Sequence, residues 1–160
     1  MAATILNSRR PARELRDHLA GWHAAETGLG NSTEGATVSI ELNHTIVPAH
    51  DPKASAQFLA GILGLAVDPP LAHFTPVTLA NSVTLDFDQH DEFESHHYAF
   101  LVSDEEFDAA FTRIQDRGVT FFADPACQQP GQIYQNKNGR RGTYFRDPGG
   151  HLMEILTPTA

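Results

Sequence analysis

The chain repeats one pattern of strand and helix signals, and this repeat constrains its fold more than any other feature of its 160 residues. His44 and His97 lie 53 residues apart, and each stands in a strand-like stretch. Residues of matching type follow at equal distances, or within one residue of them: Asp51 and Asp104, Phe58 and Phe111, Gly64 and Gly118. Matching residues at the expected start, core face and end of a helix indicate one supersecondary unit used twice.

Each copy is predicted to contain one helix with recognisable ends. In the first copy Asp51 can cap the helix, Pro52 suits its first position, and Gly64 ends it. In the second copy Ser103 and Glu106 form a capping box, and Gly118 ends the helix. Apolar residues at helical spacing line the two helices: Phe58, Leu59, Ile62 and Leu63, and then Phe107, Phe111 and Ile114.

Strand-like stretches surround both helices and suggest a βαβββ unit in each copy. In the first copy they cover residues 38–47, 73–79 and 82–88. In the second they cover residues 96–102, 119–123, 142–145 and 151–156, with a long loop over 125–141. We therefore predict an α+β domain over residues 38–158, with module one at about 38–92 and module two at about 93–158.

The N-terminal 37 residues lie outside the repeat. Residues 10–26 are predicted to form a helix, because Leu15, Leu19 and Trp22 recur on one helical face. The stripe is narrow, so the helix is expected to pack on the main domain or on a second subunit. Residues 27–37 are rich in Gly, Ser, Thr and Asn and are typical of a linker.

Composition and charge exclude several classes of partner. The net charge is −9, whereas a protein that binds a nucleic-acid backbone needs a basic surface. No apolar run approaches the roughly 20 residues that span a bilayer, and the first residues do not resemble a secretory signal. The single cysteine, Cys127, excludes a disulfide within the chain and fits a reducing compartment. We therefore expect a cytoplasmic protein that binds neither nucleic acid nor membrane.

One acidic residue stands in the apolar middle of a predicted strand. Glu154 shares a strand face with Leu152 and Leu156, since side chains alternate between the two faces. A buried carboxylate costs several kcal/mol unless it is paired or binds a metal. Pairing with Arg140, Arg141 or Arg146 would satisfy Glu154 without any metal.

A metal site is the alternative explanation for Glu154. The predicted strands carry His44 and His97 at matching positions of the two copies, and Asp86 is the counterpart of Glu154 in module one. If a pseudo-two-fold axis relates the modules, the two histidines face each other across a cup. Two imidazoles and one carboxylate form a set of three ligands that leaves coordination positions open for Fe(II), Mn(II) or Zn(II). Asp86 could add a fourth ligand, although its side chain is shorter. A strand histidine is also common as an ordinary core or surface residue.

The sequence resembles the vicinal oxygen chelate superfamily over roughly residues 38–158. The segments that carry the resemblance are LNHTIVPAHDP, HHYAFLVSDEEFDAAF and RGTYFRDPGGHLMEIL. This superfamily includes glyoxalases, bleomycin- and fosfomycin-resistance proteins and extradiol dioxygenases. The resemblance implies two βαβββ modules that form a half-open mixed barrel around one metal, with ligands at His44, His97 and Glu154. Related proteins are often dimers, so a homodimer is expected.

The resemblance also bears on the reaction. A His, His, Glu ligand set is similar to that of extradiol dioxygenases, which implies Fe(II) and a catechol-like or other vicinal-oxygen substrate. Tyr144, ten residues before Glu154, matches the tyrosine of the extradiol signature and would help to bind substrate. The histidine that precedes this tyrosine in the signature is absent, because the stretch here is QNKNGRR.

Two other functions compete with a dioxygenase. A glyoxalase-type isomerase or lyase would use Zn(II), Ni(II) or Mn(II) and would take its extra acidic ligand from Asp86. A small-molecule-binding resistance protein would sequester its ligand without turnover. In any of these proteins Arg140 and Arg141 could bind an anionic small molecule, or they could simply be solvated loop charges.

Overall fold

The computed structural model describes residues 39–159, so the predicted N-terminal helix (10–26) and the predicted linker (27–37) lie outside the described part. Module one contains β1 (His44–Ala49), α1 (Pro52–Leu63), β2 (Thr75–Thr78) and β3 (Thr84–Gln89). Module two contains β4 (His97–Leu101), α2 (Asp104–Asp116), β5 (Phe121–Phe122), β6 (Tyr134–Gln135), β7 (Arg141–Arg146) and β8 (Leu152–Leu156). The predicted α+β class with two related modules is confirmed.

The helix ends follow the predicted signals. The side chain of Asp51 accepts a hydrogen bond from the Ala54 N–H at 2.9 Å, and Gly64 ends α1 in the left-handed region with φ of 75°. Ser103 and Glu106 form the reciprocal capping box of α2. These caps satisfy backbone N–H groups that have no partner inside a helix, which is why the helices begin where the sequence predicts.

The sheet of module one has three strands in the order β1-β3-β2, not the four of a βαβββ unit. β1 runs parallel to β3, and β2 runs antiparallel to it. Residues before β2 form only an isolated bridge between Leu71 and Phe74. Pro69 and Pro70 precede this bridge, and proline cannot donate a backbone hydrogen bond to a neighbouring strand.

Module two forms a sheet in the order β4-β8-β7-β5, and β6 pairs with β7. Two predicted boundaries were wrong. The strand predicted over 119–123 is limited to Phe121–Phe122, and the predicted loop over 125–141 contains β6. The turn between β6 and β7 passes through Asn138 and Gly139, a dipeptide typical of hairpins.

The two modules share one hydrophobic core. Its fully buried members come from both sheets and both helices and include Val47, Leu59, Ile62, Phe87, Phe107, Ile114, Phe145, Met153 and Ile155. Across the module boundary, the Arg113 guanidinium donates to the Ile62 carbonyl at 3.2 Å. Since these core residues occupy one face of each sheet, the opposite faces remain available for a site. Within residues 39–159, no helix has the length and apolar character needed to cross a bilayer.

Candidate metal site

The site of module two is built on the sheet face that lies away from the core. β4 and β8 are parallel, and their register pairs His97 with Leu152 and Ala99 with Glu154, so His97 and Glu154 share this face. The His97 Nε2 lies 3.1 Å from the Glu154 Oε2. The Glu154 side chain is only 8% exposed, whereas that of His97 is 45% exposed. The nearly buried carboxylate of Glu154 therefore lies beside the partly exposed imidazole of His97.

Two tyrosines complete the surroundings of Glu154. Tyr144 lies opposite Glu154 in the antiparallel pair of β7 and β8, and its ring centroid is 5.8 Å from that of His97. Tyr134, on β6, donates its hydroxyl to the Glu154 Oε1 at 2.7 Å. Burial first, and then the Glu154 carboxylate, raise the pKa of Tyr144 to about 12 and that of Tyr134 still further. Both hydroxyls therefore remain protonated donors at neutral pH.

The corresponding face of module one carries His44 and Asp86. Their strands β1 and β3 are parallel, and Asp86 pairs with Ile46, two residues beyond His44. This is the same register that places Glu154 beside Ala99, two residues beyond His97. Asp86 is 6% exposed, and burial raises its pKa while His44 opposes the shift. Its Oδ1 is buried without a hydrogen-bond partner.

The structure thus places the four predicted ligands on two sheet faces as two pairs: His97 lies 3.1 Å from Glu154, and His44 shares a face with Asp86 while its Nδ1 lies 2.9 Å from the Asn43 Oδ1. Within residues 39–159 there is no group of three His, Cys, Asp or Glu side chains close enough to hold one metal ion. The donor types suit a divalent metal, and the buried Oδ1 of Asp86 has no hydrogen-bond partner that a metal would have to displace. Each pair on its own supplies too few ligands.

The two predicted substrate-binding arginines have different surroundings. Arg141 donates to Asp104 at 2.6 Å and to Asp108 at 2.7 Å, and its guanidinium lies 4.7 Å from the centroid of the Phe107 ring. It therefore joins β7 to α2. The positive charge of Arg140 lowers the otherwise raised pKa of Tyr134, and the Arg140 Nε is buried without a hydrogen-bond partner. Of the two, only Arg141 forms ion pairs among residues 39–159.

The sequence pattern did not identify Tyr134 as a site residue, although Gly142 offers one signal for it. Gly142 lies in the middle of β7 with no positive φ, and a glycine in a strand often marks a close approach of another group. A methyl group placed on Gly142 would overlap the Tyr134 ring. Because residues 125–141 were expected to form a loop, the hairpin that brings Tyr134 next to Gly142 was not predicted.

Comparison with known families matches most of the described domain. The family described as Glyoxalase/Bleomycin resistance protein/Dioxygenase superfamily matches residues 41–155. This range covers β1 and β4, which carry the two histidines, both helices and Glu154.

Similar proteins include two oxidases and a transferase. The solved structure of Oxidase ChaP-H2 is 52% identical with a TM-score of 0.73, and the match covers 76% of this chain and 95% of that one. Oxidase ChaP-H1 is 51% identical with a TM-score of 0.72, covering 75% and 97%. Metallothiol transferase FosB of Shouchella clausii (strain KSM-K16) is 32% identical over 98 residues, covering 59% of this chain and only 62% of the transferase.

Proposed function

We propose, on the premise that this chain belongs to the glyoxalase/bleomycin resistance protein/dioxygenase superfamily, that it is a metal-dependent oxidoreductase of the dioxygenase type. The observation that carries the proposal is the pair of His97 and the nearly buried Glu154, which lie 3.1 Å apart on an open sheet face. The identity of 52% with a protein named an oxidase supports this choice among the reactions of the superfamily.

The proposed ligands are His44, His97 and Glu154, and the proposed metal is Fe(II), with Mn(II), Zn(II) or Ni(II) as alternatives. When bound, the metal would lower the pKa of a substrate hydroxyl and hold substrate and O₂ together. The proposed substrate is a small molecule with two vicinal oxygens, such as a catechol. The described residues fit this role because they supply two imidazole ligands and a carboxylate with no arginine partner.

Tyr144 and Arg140 are the residues proposed to act on the substrate. The raised pKa of Tyr144 keeps its hydroxyl protonated, so it can donate to a substrate oxygen beside His97. Arg140, whose Nε has no partner, can pair with a carboxylate or phenolate of the substrate. Both residues are already close to Glu154 along the sheet. Tyr144 lies opposite Glu154, and Arg140 directly precedes β7.

A homodimer offers a way to complete the ligand set. Both ligand-bearing faces carry exposed apolar side chains, with Ile46 47% exposed beside His44 and Leu101 66% exposed on β4. Exposed apolar side chains on these two faces favour contact with another protein surface, which would remove them from water. We propose that module one of one subunit covers module two of its partner, so that His44 of one chain joins His97 and Glu154 of the other.

Mixing two inactive variants tests the shared site. His44→Ala and Glu154→Ala should each abolish activity, but a mixed dimer keeps one site in which all three ligands are intact. Random reassortment makes half of the dimers mixed, so about a quarter of the wild-type activity should return. A site contained within one chain would give no recovery, since every chain in the mixture lacks a ligand.

Metal content and oxygen consumption test the reaction itself. Protein purified without added metal should contain a divalent metal, and His44→Ala should lose it. With Fe(II) and a panel of catechols, the enzyme should consume O₂, and ¹⁸O₂ should place both labelled atoms in the product. Turnover of the same substrates under strict anaerobiosis would exclude an oxygenase.

The position of Asp86 favours a second candidate function, that of a glyoxalase-type isomerase or lyase. It occupies the module-one position equivalent to Glu154, and its Oδ1 is buried without a partner. As a fourth ligand or as a base it would suit proton transfer on a metal-chelated substrate. Activity without O₂ that depends on Asp86 would establish this alternative.

A further inference from the structure

The short hairpin of β6 and β7 carries a feature that the proposed metal site does not explain. Gln135 pairs with Arg141 and Tyr134 pairs with Gly142, so the Tyr134 ring lies next to a residue without a side chain. The turn is held locally, because the Asn136 side chain accepts from the N–H groups of Asn138 and Arg140, both at 3.0 Å. The hairpin therefore presents Tyr134 from a fixed backbone.

The absence of a side chain at Gly142 makes room for the Tyr134 ring, and the backbone conformation of Gly142 does not itself require a glycine. Its φ is not positive, and it lies inside a regular strand where any residue could pair. An added Cβ would overlap the Cζ, Cε1 and Oη atoms of Tyr134. The ring thus crosses the strand at Gly142 to reach β8, and any larger residue at this position would force it away.

The two carboxylate oxygens of Glu154 have different partners. Oε1 accepts from Tyr134 at 2.7 Å, and Oε2 lies 3.1 Å from the His97 Nε2. The phenol hydroxyl is the donor and the carboxylate oxygen is the acceptor in this hydrogen bond. With one oxygen held in this way, the carboxylate cannot rotate freely about its last bond.

We propose that Tyr134 is a positioning residue that fixes the Glu154 carboxylate through Oε1 and so presents Oε2, beside His97, to a divalent metal, and that Gly142 provides the space this requires. The inference rests on the proposed metal site. It assigns Tyr134 a role distinct from that of Tyr144, which we place at the substrate. Partners that orient a ligand typically contribute 10- to 100-fold to metal affinity.

Metal titration of the full-length protein tests this role without measuring activity. Zn(II) affinity is measured in competition with a chelator, and Co(II) absorption reports the coordination geometry. Tyr134→Phe removes only the hydroxyl, and Gly142→Ala displaces the ring. We expect each variant to bind Zn(II) about 10- to 100-fold more weakly than wild type and to change the Co(II) spectrum. The double variant should be no weaker than the weaker single variant, because both changes remove the same hydrogen bond.

Tyr98→Phe is the matched control. Tyr98 is also a partly buried tyrosine in module two, and its hydroxyl lies 3.0 Å from the His96 Nδ1 and not beside Glu154. We expect this variant to bind Zn(II) within about twofold of wild type and to leave the Co(II) spectrum unchanged. If Gly142→Ala does not fold, the comparison of Tyr134→Phe with Tyr98→Phe decides the question.

The outcomes separate the two proposals. Tight binding by wild type and equal affinity in Tyr134→Phe would overturn the positioning role and leave the metal site standing. Failure of wild type itself to bind Zn(II), Co(II) or Fe(II) would overturn the proposed metal-dependent function, and the role of Tyr134 with it.

Discussion

The Nε2 of His151 donates a 2.7 Å hydrogen bond to the Pro48 carbonyl, 103 residues earlier in the chain. The other ring nitrogen, Nδ1, accepts from the backbone N–H of His96 at 2.9 Å. A carbonyl can only accept and an amide N–H can only donate, so the imidazole is neutral with its proton on Nε2. His151 is fully buried and therefore joins module one to module two through one defined tautomer.

Replacing His151 should weaken this connection. We expect His151→Ala to lower the free energy of unfolding by about 2–4 kcal/mol, because it creates a cavity and leaves the buried Pro48 carbonyl without its donor. Urea unfolding at a fixed protein concentration measures the effect. The control is His73→Ala, since 65% of the His73 side chain is exposed, and it should change stability by less than about 0.5 kcal/mol. Equal effects of the two variants would contradict the role of His151.

Asp147 should make the free energy of unfolding decrease as the pH rises, whereas an aspartate with a lowered pKa has the opposite effect. Burial raises its pKa, although hydrogen bonding to the His151 N–H at 2.7 Å opposes the shift, and its Oδ2 is buried without a partner. The folded protein therefore holds this proton more tightly than the unfolded chain does. Its contribution to stability is fully present below the ordinary aspartate pKa and is lost as the pH rises through the folded-state value.

The variant Asp147→Asn tests this sign. The amide keeps an oxygen to accept from His151 but carries no charge, so its stability relative to wild type should increase as the pH rises from 4 to 7. Each unit of pKa difference corresponds to about 1.4 kcal/mol. Urea unfolding across this range provides the measurement. Asp91→Asn, at an exposed position, should follow the wild-type profile, and a parallel profile for Asp147→Asn would refute the prediction.

The features that sequence predicted are those with local causes. The cap at Asp51 and the capping box at Ser103 depend on residues within one turn, and strand alternation alone predicts that Glu154 shares a face with Leu152 and Leu156. Tyr134 reaches Glu154 only through the register of a hairpin and the gap at Gly142, which no local pattern fixes. The proposed combination of His44 with His97 and Glu154 depends in the same way on how two sheet faces pack together, and strand periodicity contains no information about such packing.

Arg140 and Arg141 are adjacent, yet they should respond differently to the same substitution. Arg141→Gln removes the contacts with Asp104 and Asp108 and should lower stability by about 1 kcal/mol, with KM unchanged. Arg140→Gln should leave stability nearly unchanged and raise KM for an anionic substrate about 10- to 100-fold, through loss of a charge-assisted hydrogen bond. Steady-state kinetics and urea unfolding on both variants measure this. The reverse pattern would assign substrate binding to Arg141.

Asp86 distinguishes a site with three ligands from one with four. Its side chain is one methylene shorter than that of Glu154 at the equivalent register position, so it reaches less far from the sheet. For the proposed dioxygenase we therefore expect Asp86→Asn to retain Zn(II) affinity within about twofold and to keep its O₂ consumption. His44→Ala, which removes the neighbouring ligand, is the positive control and should lose the metal. A loss of affinity in Asp86→Asn as large as that in His44→Ala would show that the acid coordinates, and the isomerase would then be the better assignment.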